Sequence, residues 1–385
     1  MTFLNVIYLS LLVLALFTFL LIVVLILTYL ERKTLGRIQM RMGPMRVGFH
    51  GILQPLADGL KLLVKEDILP AWADKKIFWL APIVVFIPSF MIWVTIPLAE
   101  DLVLQNLDLG LFYIVALSVL SVIGLVMAGW SSGNKYATFG GLRAVAQLIS
   151  YEIPLIMAIL GVAMLVQSLK LTDIVDGNFV TVTIDGHRTI RNLAGQHILP
   201  FAAIQPLGLF IFFVSGLAEI GRTPFDIHHA ESEIVGGPLV EYSGIHWAIF
   251  FLAEYMNTFT ISILTVLLFF GGWSWPEMPT TFLSVLWFLI KTLVVVMIIF
   301  WIRGTYPRLR IDQLMSFAWK LLVPLSFINI IITGIFLFYG WPFWSLTIMS
   351  LPFLLGAFYI IYKKSSSYTK HNTVQVYPAK WATQK

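Results

Sequence analysis

From residue 3 to residue 30 the chain runs without one charged side chain. About 20 consecutive apolar residues in a helix cross a hydrocarbon layer ~30 Å thick, and helices of a soluble core seldom sustain such a run. Comparable runs recur near 77–98, 111–130, 150–168, 200–218, 245–272, 282–302, 321–340 and 342–362, which with 3–30 gives nine candidate spans. The last two are separated by Gly340-Trp341-Pro342, a break that reads as a tight hairpin. Composition agrees: 59% of residues are apolar and 12% are charged, against about 25% charged in an average soluble domain. The expected fold class is all-α, a polytopic transmembrane helical bundle. Residues 1–362 form one transmembrane domain on this reading and 363–385 a basic cytoplasmic tail. The N-terminus has no basic n-region and no small-residue cleavage site, so the first run is read as a retained span rather than a signal peptide.

One segment has a different pattern. Residues 46–66 carry Ile52, Leu53, Leu56, Leu60, Leu63 and Val64 on one side and Asp58, Lys61 and Lys65 on the other. That spacing predicts an amphipathic helix lying in the membrane interface. Charge then sets orientation. Loop 31–76 holds nine Lys/Arg, 303–320 four and 363–385 five, while 99–110 and 273–281 hold none. The positive-inside rule places the basic loops and the C-terminus on the cytoplasmic (or matrix) side and the N-terminus outside. A pI near 9.2 therefore reflects membrane flanks, not a nucleic-acid face.

There is no cysteine, which excludes disulfides, thiolate-held iron–sulfur clusters and most zinc sites on this chain. The seven histidines form no HxxxH or HExxH pair, so no metal site is expected and any redox cofactor belongs to a partner. No internal repeat supports an inverted-repeat transporter. Alternating runs on either side of Asp185-Gly186 predict a small outer hairpin.

The candidate chemistry lies in 216–243, GLAEIGRTPFDIHHAESEIVGGPLVEYS. Glu219, Asp226, Glu231, Glu233 and Glu241 sit between two apolar spans and are interleaved with Pro224, Phe225, Ile227, Ile234 and Val235. Carboxylates in such a place are costly to desolvate and mark a path for charge or protons. Glu152, at the expected start of a span, together with Glu254 and Lys291 inside spans, extends the set. Arg303 leaves the seventh span facing the cytoplasmic side. In loop 29–48, Arg32, Lys33, Arg37, Arg41 and Arg46 recur around Gly43-Pro44, which reads either as positive-inside anchoring or as an ordered loop docked on something polar.

Six ordered blocks carry a family resemblance: LERKTLGRIQMRMGPMRVG at 30–48, LQPLADGLKLLVKE at 53–66, GWSSGNKYATFGGLRAVAQLISYEIP at 129–154, AEIGRTPFD and the acids after it at 218–241, AEYMN at 253–257, and WIRGTYPRLRIDQLM at 301–315. Together they resemble the quinone-proximal membrane subunit of respiratory complex I, the proton-pumping NADH:quinone oxidoreductase. The resemblance implies a chain without redox centres, neither flavin nor metal, whose substrate is a quinone. It implies membrane and peripheral-arm partners, including iron–sulfur and antiporter-like subunits, and an energy-transducing membrane, either bacterial plasma membrane or mitochondrial inner membrane. It places Arg32, Gln39, Arg41, Gly43, Pro44 and Arg46 at a quinone tunnel. Glu152, Glu219, Asp226, Glu231, Glu233, Glu241 and Glu254 become a proton-coupling chain, with Lys291 and Arg303 as cationic partners.

The chain departs from that pattern at His228 and His229, where the family has Pro or Ala followed by an acid. An imidazole can still relay protons near neutral pH. Three alternatives remain open at this point: the equivalent subunit of a ferredoxin- or hydrogenase-linked complex, a stand-alone ion-coupled transporter, and a passive anchor for a soluble arm.

Overall fold

Helices of 36 and 32 residues, Phe3–Ile38 (α1) and Lys135–Val166 (α5), set the scale of the molecule. The computed structural model describes residues 3–100, 102–176, 179–184, 187–192, 200–227, 231–274, 280–341 and 343–371. In chain order α1 is followed by α2 (Gln54–Val64), α3 (Lys75–Met91), α4 (Gly110–Ser131), α5 and α6 (Leu171–Asp176). After the strands β1 (Phe179–Ile184) and β2 (His187–Asn192) come α7 (Phe201–Ile204), α8 (Pro206–Ile220) and α9 (Glu231–Ile234). The chain ends with α10 (Gly244–Phe269), α11 (Thr281–Thr305), α12 (Ile311–Phe317), α13 (Val323–Tyr339) and α14 (Phe343–His371). A π-helical turn, Ala318–Leu322, joins α12 to α13.

The all-α membrane bundle is the observed architecture. Among the described residues, eight helical segments are long and apolar enough to cross a bilayer. The fifth expected span, 200–218, is in two pieces: α7 stops at Ile204, and Pro206 opens α8. With 15 residues, α8 is ~22 Å long at ~1.5 Å per residue, short of a ~30 Å core. Gln205, at the break, is buried and donates to Asn329 Oδ1 at 3.1 Å and Thr333 Oγ1 at 2.9 Å, so α13 satisfies its amide nitrogen at the break. Strands β1 and β2 pair antiparallel with Ile184 opposite His187, as the alternating pattern predicts. The turn residues Asp185 and Gly186 lie outside the described part.

Two boundaries differ from expectation in ways that matter for function. α1 does not stop at the apolar edge but carries Glu31, Arg32 and Lys33 on its last turns. α5 starts at Lys135 rather than near 150, so Glu152 lies in mid-helix. Lys135, Gly140, Gly141 and Arg143 imitate a loop in sequence, yet the Asn134 side chain caps the helix by accepting from Tyr136 N at 3.0 Å. The glycines serve close packing: a Cβ on Gly140 would lie 2.5 Å from Gly237 Cα, and one on Gly129 would lie 2.7 Å from Ala137 O. Small residues at helix contacts are how membrane bundles approach closely.

The amphipathic segment is helical only over α2, preceded by a 3-10 turn at Phe49–Gly51. Leu56, Leu60, Leu63 and Val64 are exposed, leaving an apolar face open beside the end of α1. At the centre, α10 is the most enclosed span, packed among α3, α8 and α11. The core around it is aliphatic and aromatic, with Trp93 stacked on Phe259 at 5.1 Å.

The Gly140–Gly237 approach yields a test of this packing. Gly140→Ala is expected to destabilise by about 1–3 kcal/mol through overpacking, read as a lowered thermal midpoint of the purified protein. An unchanged midpoint contradicts the contact.

Candidate functional site

α5, α8 and α10 each contribute one carboxylate to a single cavity. Glu152, Glu219 and Glu254 line it with Ser121, Asn257 and an apolar wall including Val85, Leu148 and Phe250. Its volume is about 70 Å³, and a buried water needs roughly 10–15 Å³ of such space, so a short chain of waters fits. Glu152 accepts from the Ser118 hydroxyl at 3.3 Å. Glu219 sits on the last turn of α8, just before Gly221 closes the helix at φ 70°. Its Oε2 is buried with no hydrogen-bond partner among the described residues. A buried acceptor of this kind calls for water or a proton.

Arg222 connects the cavity to α1. Its Nε lies 3.1 Å from Glu254 Oε1, and its Nη1 lies 3.8 Å from Glu31 Oε1. The guanidinium also stands over the Tyr255 ring at 4.6 Å, within the range of a cation–π contact. Burial opposes the charge on Arg222, but Glu254, Tyr255 and Asp226 together hold its pKa above the ordinary guanidinium value. Glu31 in turn receives the Tyr255 hydroxyl and an ion pair from Arg303. Two carboxylates, Glu31 and Glu254, thus face two guanidiniums, Arg222 and Arg303. That balance lets four charges stay in a largely buried site.

One residue beyond Glu31, Arg32 pairs with Asp58 of α2, which also accepts from Gln54 Nε2 at 3.0 Å. The loop after α1 folds back over this corner. A Cβ on Gly43 would lie 3.1 Å from Arg32 O, and Tyr29 donates to His50 O at 3.2 Å. Gly43 and Pro44 are half-buried there. Gln39, Arg41 and Arg46 are exposed, with Arg41 Nε donating to Gln39 Oε1 at 2.7 Å.

The acidic segment is distributed over several partners. Glu233 lies between Arg143, at 2.6 Å, and Arg308, at 3.3 Å. Glu241 accepts from Asn134 Nδ2 at 2.7 Å. Next to it Tyr242 stacks on Phe78 at 4.0 Å, and burial pushes its phenol pKa up to about 12. Asp226 acts on Arg222 electrostatically. The Glu231 side chain, His228 and His229 lie outside the described residues. Lys291 is elsewhere. It donates to the carbonyls of Phe270, at 3.0 Å, and Gly272 at the end of α10. On α11 it stands about 18 Å of helix rise from Arg303.

Sequence reasoning singles out Glu152, Glu219, Glu254 and Arg303 but not the residue that joins them, Glu31. The available signal is one acid opening a basic stretch at the end of an uncharged run. Tyr255, adjacent to Glu254, and Asp58, which reads only as a polar-face charge, are missed in the same way. Arg143 and Asn134 read as loop residues.

The class of protein that fold and site define is a helical membrane bundle holding a carboxylate-lined cavity beside a balanced Glu–Arg cluster. The sequence profile of the NADH dehydrogenase family matches residues 11–334. This chain belongs to that family, as the motif blocks indicated. It is 46% identical over 319 residues to the H subunit of the NADH-quinone oxidoreductase of Dehalococcoides mccartyi strain CBDB1, covering 83% of this chain and 84% of that protein. It is 45% identical over 312 residues to the corresponding protein of Brevibacillus brevis, covering 81% and 88%. With a counterpart in Rhizobium meliloti, also a NADH-quinone oxidoreductase protein, it shares 46% over 318 residues, covering 80% and 91%.

The Glu31 cluster yields the test for this site. Glu31→Ala leaves Arg222 and Arg303 without their shared carboxylate and is expected to destabilise by about 3–5 kcal/mol. The double variant Glu31→Ala/Arg303→Ala should recover part of that loss in a thermal double-mutant cycle. Strictly additive losses would contradict a direct pairing.

Proposed function

We propose that this chain is the quinone-access and proton-coupling membrane subunit of an NADH:quinone oxidoreductase. The observation that carries this reading is the continuity of the polar groups. The cavity of Glu152, Glu219 and Glu254 meets Arg222, Arg222 meets Glu31, and Glu31 adjoins the Arg32–Asp58 pair at the α1–α2 corner. The names of the relatives and the open apolar face of α2 support the same reading.

On this account a quinone enters from the bilayer beside α1 and α2. Its headgroup is oriented by the polar groups of 31–48, with Arg32, Gln39, Arg41, Gly43, Pro44 and Arg46 on its route. Electrons reach it from an iron–sulfur partner, since the chain has no cysteine to hold a cluster. Reduction to quinol takes up two electrons and two protons and alters the charge at the corner. Two unit charges ~8 Å apart interact by about 2 kcal/mol at an effective dielectric of 20, enough to move a neighbouring pKa by more than one unit. The Glu31–Arg222–Glu254 cluster transmits that change to the cavity, where Glu219 and Glu152 exchange protons through water. Asp226, Glu231, Glu233 and Glu241 extend the path toward antiporter-like partners. The basic loops face the cytoplasm or matrix and the N-terminus the opposite side, with 363–385 as a cytoplasmic tail.

Glu219→Gln removes a protonatable group while keeping its shape. In the assembled complex it is expected to slow quinone reduction about tenfold, a barrier change of ~1.4 kcal/mol, while an artificial acceptor upstream of quinone is reduced at the normal rate. Normal quinone turnover together with normal proton pumping would overturn the proposal.

A further inference from the structure

We infer that Gln147 is a positioning residue that holds the turn carrying Glu219, Arg222 and Asp226. Gln147 lies on α5 and is 1% exposed. Its Nε2 donates to Ala218 O at 2.7 Å and to Phe225 O at 2.6 Å. Both acceptors are backbone carbonyls, so the amide orientation is fixed by chemistry, with the nitrogen facing the turn. Each carbonyl belongs to the peptide group that precedes an acid, Glu219 in one case and Asp226 in the other. One side chain therefore clamps both ends of the 218–226 turn, and the clamp sets where Arg222, near its middle, projects.

The backbone bonds of the turn are local or lie at its edge. Within it Gly221 N donates to Ala218 O at 3.2 Å and Phe225 N to Arg222 O at 2.8 Å; from outside, Leu309 N donates to Pro224 O at 3.0 Å. Gln147 spans the turn from end to end, and does so from a rigid, capped helix. The same face of α5 carries Arg143, one turn earlier, on Glu233, and Glu152 lies further along at the cavity. α5 thus acts as a ruler along which the acidic segment is laid out, with Gln147 as its central mark. The Oε1 of Gln147 is buried with no donor among the described residues.

In its effect on turnover this inference rests on the quinone-coupled reading above, so the experiment separates the two. Gln147→Leu and Gln147→Glu are made in the full complex. Hydrogen–deuterium exchange of segment 218–226 is measured beside quinone turnover, normalised to artificial-acceptor reduction by the same sample, across a pH series. The leucine variant loses both bonds, so exchange in the turn should rise and normalised quinone turnover should fall about tenfold at every pH. The glutamate variant should behave alike at alkaline pH, where a carboxylate faces two carbonyl oxygens. It should recover as pH falls, because the protonated acid donates one of the two lost bonds. A merely structural role produces no such pH-dependent rescue. Unchanged exchange in the leucine variant, or a glutamate variant that follows leucine at every pH, overturns the positioning role. Raised exchange with pH-dependent rescue of exchange, but undiminished quinone turnover, sustains the positioning role and counts against the quinone-coupled function.

Discussion

Glu31 is a carboxylate inside a membrane protein that faces two arginines and a tyrosine hydroxyl. Placing such a charge away from water costs several kcal/mol unless its partners are fixed in place. Much of the bundle can be understood as the apparatus that fixes them. α1 must continue past the apolar boundary to bring Glu31 to Arg303 of α11. α8 must end early enough for the chain to turn and present Arg222. α10 must be enclosed by its neighbours so that Glu254 and Tyr255 face inward. A balanced cluster of this kind is stable yet responsive, since a charge added nearby changes the energy of every member.

The cluster is also the narrow link between two regions of different character. On one side lie the α1–α2 corner, the Arg32–Asp58 pair and the open apolar face of α2. On the other lies a cavity with three carboxylates and room for water. Neither region alone defines a function. They are joined through Arg222, and on the function proposed above a redox event at one end is felt as a proton affinity at the other. No redox centre on this chain is needed for that role.

Much of the architecture was legible in the sequence because hydrocarbon imposes its length on apolar runs, and most spans fall where those runs lie. The departures have separate physical causes. The beginning of α5 was hidden because Gly140, Gly141 and Arg143 look like a loop, whereas the glycines admit close contacts with Gly237 and Gly129 and the arginine reaches Glu233. The 200–218 span proved divided because Pro206 starts a helix and Gln205 finds its partners on α13. Within the site, the acids of 216–243 stood out by local density, but pairing across distant segments carries no local signal. Glu31 was hidden among basic neighbours, and Lys291 lies inside its span as expected, yet near the middle of α11 and about three turns away from Arg303.

Infrared difference spectroscopy of the purified complex, taken between oxidised and reduced quinone, tests the link most directly. The account predicts a carboxylic-acid band that appears or shifts on quinone reduction in the wild type. Because the signal must pass through Arg222, that band should be abolished by Arg222→Met even in samples whose quinone is still fully reduced. A band that persists unchanged in that variant would show that the corner and the cavity communicate by another route, or not at all.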